Sequence, residues 1–511
     1  MRTLVGHDYA ALYAGFRWDF PARLNMAGQC LAHDPAQVAI IEYDGAPRPV
    51  SYGELAAMTD RLAYALAAAE GERIGVLRTQ SAWTAAAHLA VWASAAISIP
   101  LFKLFGPEAL ALRLEDAGVT TVIADPEGRE ALRGFDHLRV IVPEDGLPDG
   151  GPFTIRETGP ETPALIIYTS GTTGAPKGAV HGHRVLTGHL PGVEMSHDGL
   201  GQPGDVIWTP ADWAWIGGLF DVAMPALALG IPVVAARMAK FEPEATAHLI
   251  ADCGVRNVFF PPTALKLLKA ADARIPGLRS VASGGEPLGA EMLAWGQQAF
   301  GLSINEFYGQ TECNMVASSA ASMFPPRPGA IGKAVPGFDL RVIDEQGNPH
   351  DGEGDIAIRR GAGSMMLGYW NRAQATAEKF RGEWMVTGDR GVIEDGYIRF
   401  LGRDDDVITS AGYRIGPSEI EDCLMRHKAV AQAAVVGKPD PIRTEIVKAY
   451  IVLKEGFPAS DDLARDLQDH AKRLCAAHSY PREIAFLDAL PMTVTGKVLR
   501  RELRKRDEAA P

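Results

Sequence analysis

Eight short apolar runs, RIGVLRT, TTVIAD, RVIVPE, PALIIYTS, DVIWTPAD, IPVVAAR, RNVFFPP and RSVASGG, punctuate the chain up to about residue 285. Most are apolar on both faces and are separated by helix-length segments. Strands spaced this way predict parallel sheets covered by helices, since a parallel strand returns to its sheet through a crossover. From Phe338 the texture changes to FDLRVIDEQGNP, GDIAIRR and GYIRFLGR, short strands with turn signals that predict a small β subdomain. After the charged joint Arg403-Asp404-Asp405-Asp406, a helix is predicted to start at Pro417, followed by strands AQAAVVG and VKAYIVL. A further helix carries Leu463, Leu467 and Leu474 on one face. The predicted class is α/β, or α+β over the whole chain. A large domain of layered sheets, residues 1–403, precedes a smaller α+β domain, 404–511. At 511 residues the chain exceeds what one core organises.

Ligands of open α/β sheets collect at the carboxyl ends of strands. There, after PALII, sits YTSGTTGAPKG, a stretch of glycine, hydroxyls and Lys177. Glycine permits close backbone approach, and amide N–H groups, hydroxyls and a lysine all donate to phosphate oxygens. The spacing is not that of G-x-x-x-x-G-K-[ST], so a different phosphate loop, or a plain surface loop, is implied. The net charge of −13 argues against nucleic acid and anionic membrane surfaces as partners, both of which select basic faces. Five scattered cysteines suggest neither a disulfide framework nor a zinc site, and predict a reducing, cytoplasmic setting. No signal peptide is expected in MRTLVGHDYAALYAGFRWDF. The uncharged run Thr84–Phe102 approaches the ~18 residues that span a bilayer, but its weak hydrophobicity and Pro100 predict a buried helix entering a strand.

Further stretches align with the glycine-rich loop: Gly284-Gly285-Glu286-Pro287, Glu306-Phe307-Tyr308-Gly309-Gln310-Thr311-Glu312, Thr387-Gly388-Asp389, Gly402-Arg403, Ala411-Gly412-Tyr413-Arg414-Ile415-Gly416 and Thr495-Gly496-Lys497. In order and spacing the set resembles the adenylate-forming superfamily of acyl-CoA synthetases, adenylation domains and luciferases, most nearly the medium-chain acyl-CoA synthetases. The resemblance runs from about residue 51 to 504. It implies ATP, Mg²⁺ and CoA as cofactor and co-substrates, a small carboxylic acid as substrate, and an acyl adenylate between two half-reactions.

The resemblance also implies roles. Thr169, Ser170, Gly171, Thr172, Thr173, Gly174 and Lys177 would hold the ATP phosphates. Tyr308 would stack on adenine, with Gly285, Glu286 and Pro287 on its other side, and Glu306, Phe307, Gly309, Gln310 and Thr311 would complete that wall. Asp389 would take the ribose hydroxyls, because an ionised carboxylate only accepts. Arg403 and Arg414 would lie near ribose and phosphate, and Glu312 with Thr172 would hold Mg²⁺, a hard cation suited to oxygen. Lys497 would bridge the attacking carboxylate and the α-phosphate. Asp405 would be the hinge of a mobile C-terminal domain. Ala411, Gly412 and Tyr413 would line the CoA tunnel, and Arg443 and Arg482 are candidates for its phosphates.

Trp215, Ile216, Gly217, Gly284 and Gly309 are the implied acyl pocket. Acetyl-CoA synthetases resemble this chain but carry tryptophan where Gly309 stands, so an acid larger than acetate is expected: medium-chain, branched or aryl. His181 and His183 alternate like strand residues without a companion metal-ligand cluster, and read as structural or as channel lining. For Trp208, core packing and a place beside the acyl site both stay open. So do a stand-alone enzyme that loads a carrier protein, a catalytically silent acyl or nucleotide sensor, and assembly into a homo-oligomer.

Overall fold

The computed structural model describes the chain except residues 1, 170–175, 239, 404–405, 407, 411–412, 441–443, 475–479, 494–496 and 509–511, and without the side chains of residues 409, 413–414, 418–419 and 507–508. Among the described residues two large sheets dominate. A seven-stranded sheet runs, edge to edge, Gly368–Tyr369, Gly178–Gly182, Pro163–Tyr168, Ile97–Pro100, Arg73–Leu77, Thr121–Ala124 and Arg139–Ile141. A nine-stranded sheet runs Lys333–Ala334, Cys313–Ser318, Ile304–Gln310, Ser280–Gly284, Asn257–Phe259, Ile207–Trp208, Val233–Ala236, Val38–Tyr43 and Pro47–Ser51. In both, the interior strands pair in parallel; both edges of the nine-stranded sheet and the Gly368–Tyr369 edge of the seven-stranded one are antiparallel, whereas its other edge, Arg139–Ile141, is parallel. All eight apolar runs named above became strands, four in each sheet.

The main core lies between these sheets and takes residues from both, Ile74 and Leu165 from one, Ile207 and Ala282 from the other. Its filling is helical. Ala82–Ala93 is buried at every position but Trp83, which is why the Thr84–Phe102 run is apolar on all sides: it is an interior helix leading into the buried strand Ile97–Pro100. Among the described residues no helix is long and apolar enough to cross a membrane. A capping box at Ser51 and Glu54 starts the neighbouring helix Tyr52–Leu66.

A third, antiparallel sheet, built on Leu340–Ile343, Gly354–Arg359, Phe380–Arg381, Trp384–Glu394 and Tyr397–Arg403, is the expected β subdomain. The remaining chain forms its own sheet from Ile408–Ser410, Tyr413–Ile415, Val430–Asp440, Thr444–Leu453 and Glu483–Phe486, packed with helices Pro417–Met425 and Asp461–Leu474. The final helix, Arg500–Glu508, is tied in by charge: Arg500 takes Glu421 through both carboxylate oxygens, at 2.7 and 2.8 Å, and Asp406 at 3.3 Å, while Arg504 reaches Asp406 at 2.6 Å.

Candidate active site

Strand ends from three sheets deliver the motif residues to one place. In the antiparallel sheet Asp389 stands directly opposite Arg403, whose Nε lies 3.9 Å from its carboxylate. From the nine-stranded sheet, the Tyr308 hydroxyl donates to Asp389 Oδ2, and Gln310 Nε2 donates to the same oxygen at 2.9 Å and to the Thr387 carbonyl at 2.8 Å. Burial pushes the Asp389 carboxyl up, and the Tyr308 hydrogen bond, Arg403, Lys379 and Gln310 oppose it. Two residues beyond Gln310, Glu312 accepts from the Tyr369 hydroxyl at 2.5 Å.

The phosphate-loop segment Ser170, Gly171, Thr172, Thr173 and Gly174 lies outside the described residues. Its two flanks are tied together, Thr169 N–H donating to the Lys177 carbonyl at 2.9 Å and Lys177 N–H to Thr169 Oγ1 at 3.3 Å. The Lys177 ammonium sits 5.0 Å from the centre of the Tyr369 ring. Across the site, Gly285 follows its strand with φ +100° and open space where a Cβ would stand, and Glu286 faces Lys266 at 3.8 Å. Burial raises the Glu286 carboxyl, while Lys266, Lys497 and Arg500 act to lower it, so the C-terminal domain brings Lys497 within electrostatic range of this loop. The Lys497 turn is closed by Thr493, through N–H to carbonyl at 2.7 Å and N–H to Oγ1 at 3.0 Å.

The remaining expected residues have the following surroundings. Glu306 is buried and accepts from the Leu288 amide at 3.0 Å, bracing the Glu286 loop from beneath; burial pushes its carboxyl up to about 7. The Phe307 ring is also interior, 5.1 Å from that of Phe259. Arg482 lies against the Tyr480 ring at 5.0 Å. Asp405, Ala411, Gly412, Arg443 and the side chains of Tyr413 and Arg414 lie outside the described residues. Trp208 is fully buried, edge-on to Phe260, and His183 Nδ1 accepts from the Met26 amide at 3.1 Å. Trp215 joins Phe102 and Phe105 in an aromatic cluster, and Ile216 packs at the margin of the main core.

The family profile for AMP-binding enzymes matches residues 29–370, and that for the AMP-binding enzyme C-terminal domain matches 419–497. The chain belongs to the AMP-binding enzyme family. This AMP-binding enzyme is 39% identical over 363 residues to the mitochondrial acyl-coenzyme A synthetase ACSM2 of Rattus norvegicus, covering 69% of the chain and 63% of the rat protein, so the match spans less than two thirds of that relative. It is 35% identical over 437 residues to acetyl-coenzyme A synthetase of Bacillus subtilis, covering 80% and 76% of the two chains. Among solved structures, the anthranilate CoA ligase AuaEII in complex with anthranoyl-AMP superposes with a TM-score of 0.86 at 27% identity, over 96% of this chain and 98% of that one.

Two features of this AMP-binding enzyme bear on its site. The glycines of the implied acyl pocket do not simply leave space. A Cβ on Gly284 would stand 2.5 Å from the Phe307 ring, and one on Gly309 would land on Asn314 Oδ1 and the Met315 amide nitrogen, so the Phe307 ring at one and the Asn314 side chain with neighbouring backbone at the other take up what those glycines vacate. The second is Lys379, which no motif marks. Its ammonium donates to Gln310 Oε1 at 3.2 Å and to the Thr387 carbonyl at 3.1 Å, and burial lowers its pKa despite Glu312 and Asp389 nearby.

Proposed function

We propose that this chain is an AMP-forming acyl-CoA synthetase, converting a carboxylic acid, ATP and CoA to acyl-CoA, AMP and pyrophosphate. The observation that carries the reading is the convergence of Asp389, Tyr308, Gln310 and Arg403 at one point. The acid's carboxylate attacks the α-phosphorus and the bond to the β-phosphate oxygen breaks, releasing pyrophosphate. The CoA thiolate then attacks the acyl carbonyl carbon, and AMP leaves with the electron pair of its bond.

The first step presses one anion against another, so positioning and cationic screening dominate its catalysis. Lys497 supplies a compact mobile charge at the end of a long stem. Asp389 receives the ribose hydroxyls once Tyr308 and Gln310 yield or share its oxygen, and Arg403 and Lys379 work against the upward push that burial gives its carboxyl. Glu312, its carboxylate oriented by Tyr369, would hold Mg²⁺, a hard cation suited to oxygen ligands. That ion, when bound, neutralises polyphosphate charge. The domain division falls at residues 403 and 404. The acid is larger than acetate, of medium-chain, branched or aryl type, and the setting is cytoplasmic, a reading supported by the four buried free thiols among the described cysteines.

The test is mass spectrometry of reactions holding purified protein, MgATP, CoA and a panel of acids. Thioester and AMP in equal amounts are expected. AMP without thioester, alongside acylation of a supplied holo-carrier protein, would make the chain a carrier-loading enzyme; no turnover of any acid would leave a sensor.

A further inference from the structure

The synthetase reading, on which this inference rests, leaves the acid open, and the residues around the implied acyl-pocket glycines narrow it. Gly217 and Gly309, placed in that pocket by sequence, are linked by a buried polar pair. Asp221 sits on the π-helical turn Leu219–Ala223, with one carboxylate oxygen 3.6 Å from where a Gly217 Cβ would stand. Its other oxygen accepts from Asn314 Nδ2 at 2.6 Å, and Asn314 is the side chain that fills the space beside Gly309. Gly217 and Gly284 are linked in turn by an aromatic pair: Phe259 lies 3.2 Å from a Gly217 Cβ, and its partner ring Phe307 covers Gly284. One polar pair and one aromatic pair thus link the three glycine positions.

The polar side has hydrogen-bonding capacity to spare. Asp221 is 2% exposed, and among the described residues no hydrogen bond reaches its Oδ2. His189 Nε2, 4.0 Å from Asp221 Oδ1, is buried without a partner, its Nδ1 being engaged with the Val185 carbonyl at 2.8 Å. Burial disfavours the charged forms of both groups, driving the Asp221 carboxyl up and the His189 imidazole down to about 4. Met315, next to Asn314, is held at φ +51°, backbone strain of the kind that collects at ligand sites. An alkyl chain laid against this wall would leave its polar atoms unmatched, and the side chains that fill the glycine spaces shorten the run available to such a chain.

We propose that the acid is compact and aromatic and bears a hydroxyl or amino group, read by Asp221 and Asn314 while Phe259 and Phe307 hold its ring. A site built to hydrogen-bond a substituent discriminates against the analogue lacking it, because its own buried groups are then unpaired. Substituent recognition belongs to Asp221 on one element and Asn314 on another, so either can be tested alone.

The experiment is acid-dependent ATP–pyrophosphate exchange, which reads adenylation without CoA, using benzoate, the hydroxybenzoates, the aminobenzoates, hexanoate and octanoate. The best hydroxy or amino acid is expected to exceed both benzoate and octanoate in kcat/KM by roughly 10- to 100-fold. Asp221→Ala should bring its ratio to benzoate close to one. Asn314→Ala should lower that ratio too, and serves if the Asp221 variant does not fold. Octanoate or benzoate outrunning every substituted acid, or a ratio kept intact in a folded variant, would overturn the inference while leaving the synthetase reading standing. Failure of every acid to support exchange would bring down both.

Discussion

Lys497 is exposed, held at the end of a turn closed by Thr493, and charged toward the Glu286 loop. Because it acts only while an anionic carboxylate approaches phosphate, Lys497→Ala should slow acid-dependent pyrophosphate release by at least about 100-fold, the scale lost with one electrostatic donor. A supplied acyl adenylate should still pass to CoA. Equal loss in both half-reactions would remove the lysine from its assigned step. Away from the site, Glu194 is fully buried and accepts from the Thr3 and Leu4 amides at 2.8 and 2.5 Å, latching residues near the N-terminus to the end of helix Val185–Ser196. Burial raises it from the ordinary 4.5 to about 7. Between those values the folded chain keeps a proton that the unfolded chain releases, so stability falls as pH rises from about 4.5 to 7 and is level beyond. The stake is roughly 3 kcal/mol. Glu194→Gln should flatten that slope in denaturation measured across the range, and an unchanged slope would mean that Glu194 does not titrate there.

The strand Ile304–Gln310 shows how far a sequence can be read. This strand was met only as a motif of the family resemblance, but the eight apolar runs were legible as strands because apolar periodicity is a local signal. What Gly309 does was not. It sits where the pairing with Cys313–Ser318 shifts register, a bulge that depends on the partner strand, and Asn314 and Met315 close over it. Lys379 escaped for the same reason: a lysine in AEKF has no local mark, and only folding buries it beneath Gln310. The bulge makes a prediction opposite to the one an empty pocket would make. Gly309→Trp should not merely trim the acyl range; the Cβ alone meets backbone, so even Gly309→Ala should destabilise the enzyme by about 1–3 kcal/mol, seen as a lower melting temperature. A Gly309→Trp protein of native stability with activity shifted to acetate would restore the reading of an open pocket.

The proposed domain division falls at residues 403 and 404. On one side Arg403 is paired with Asp389 in the antiparallel sheet. On the other, Asp406 is gripped by Arg500 and Arg504 of the last helix, the helix that begins just beyond Lys497. Any rotation that carries Lys497 away must therefore be absorbed between these two fixed points, and the hydrogen bond from the Asp406 amide to the Arg403 carbonyl, 3.0 Å, spans the interval. The proposed reaction needs such a rotation, because one site must face first a polyphosphate and then a thiolate, and a hinge is a few residues whose dihedrals change. Asp405→Pro fixes φ near −65° and so freezes one arrangement. If the frozen arrangement is the one that faces Lys497 to the Glu286 loop, pyrophosphate release in the first turnover should stay within a few-fold of wild type, while conversion of adenylate to thioester falls by at least about tenfold. Rapid-quench measurement of each half-reaction separates the two, with acyl adenylate accumulating on the enzyme as the direct sign. Equal slowing of both steps would assign the effect to folding instead, and retained thioester formation would move the hinge away from Asp405.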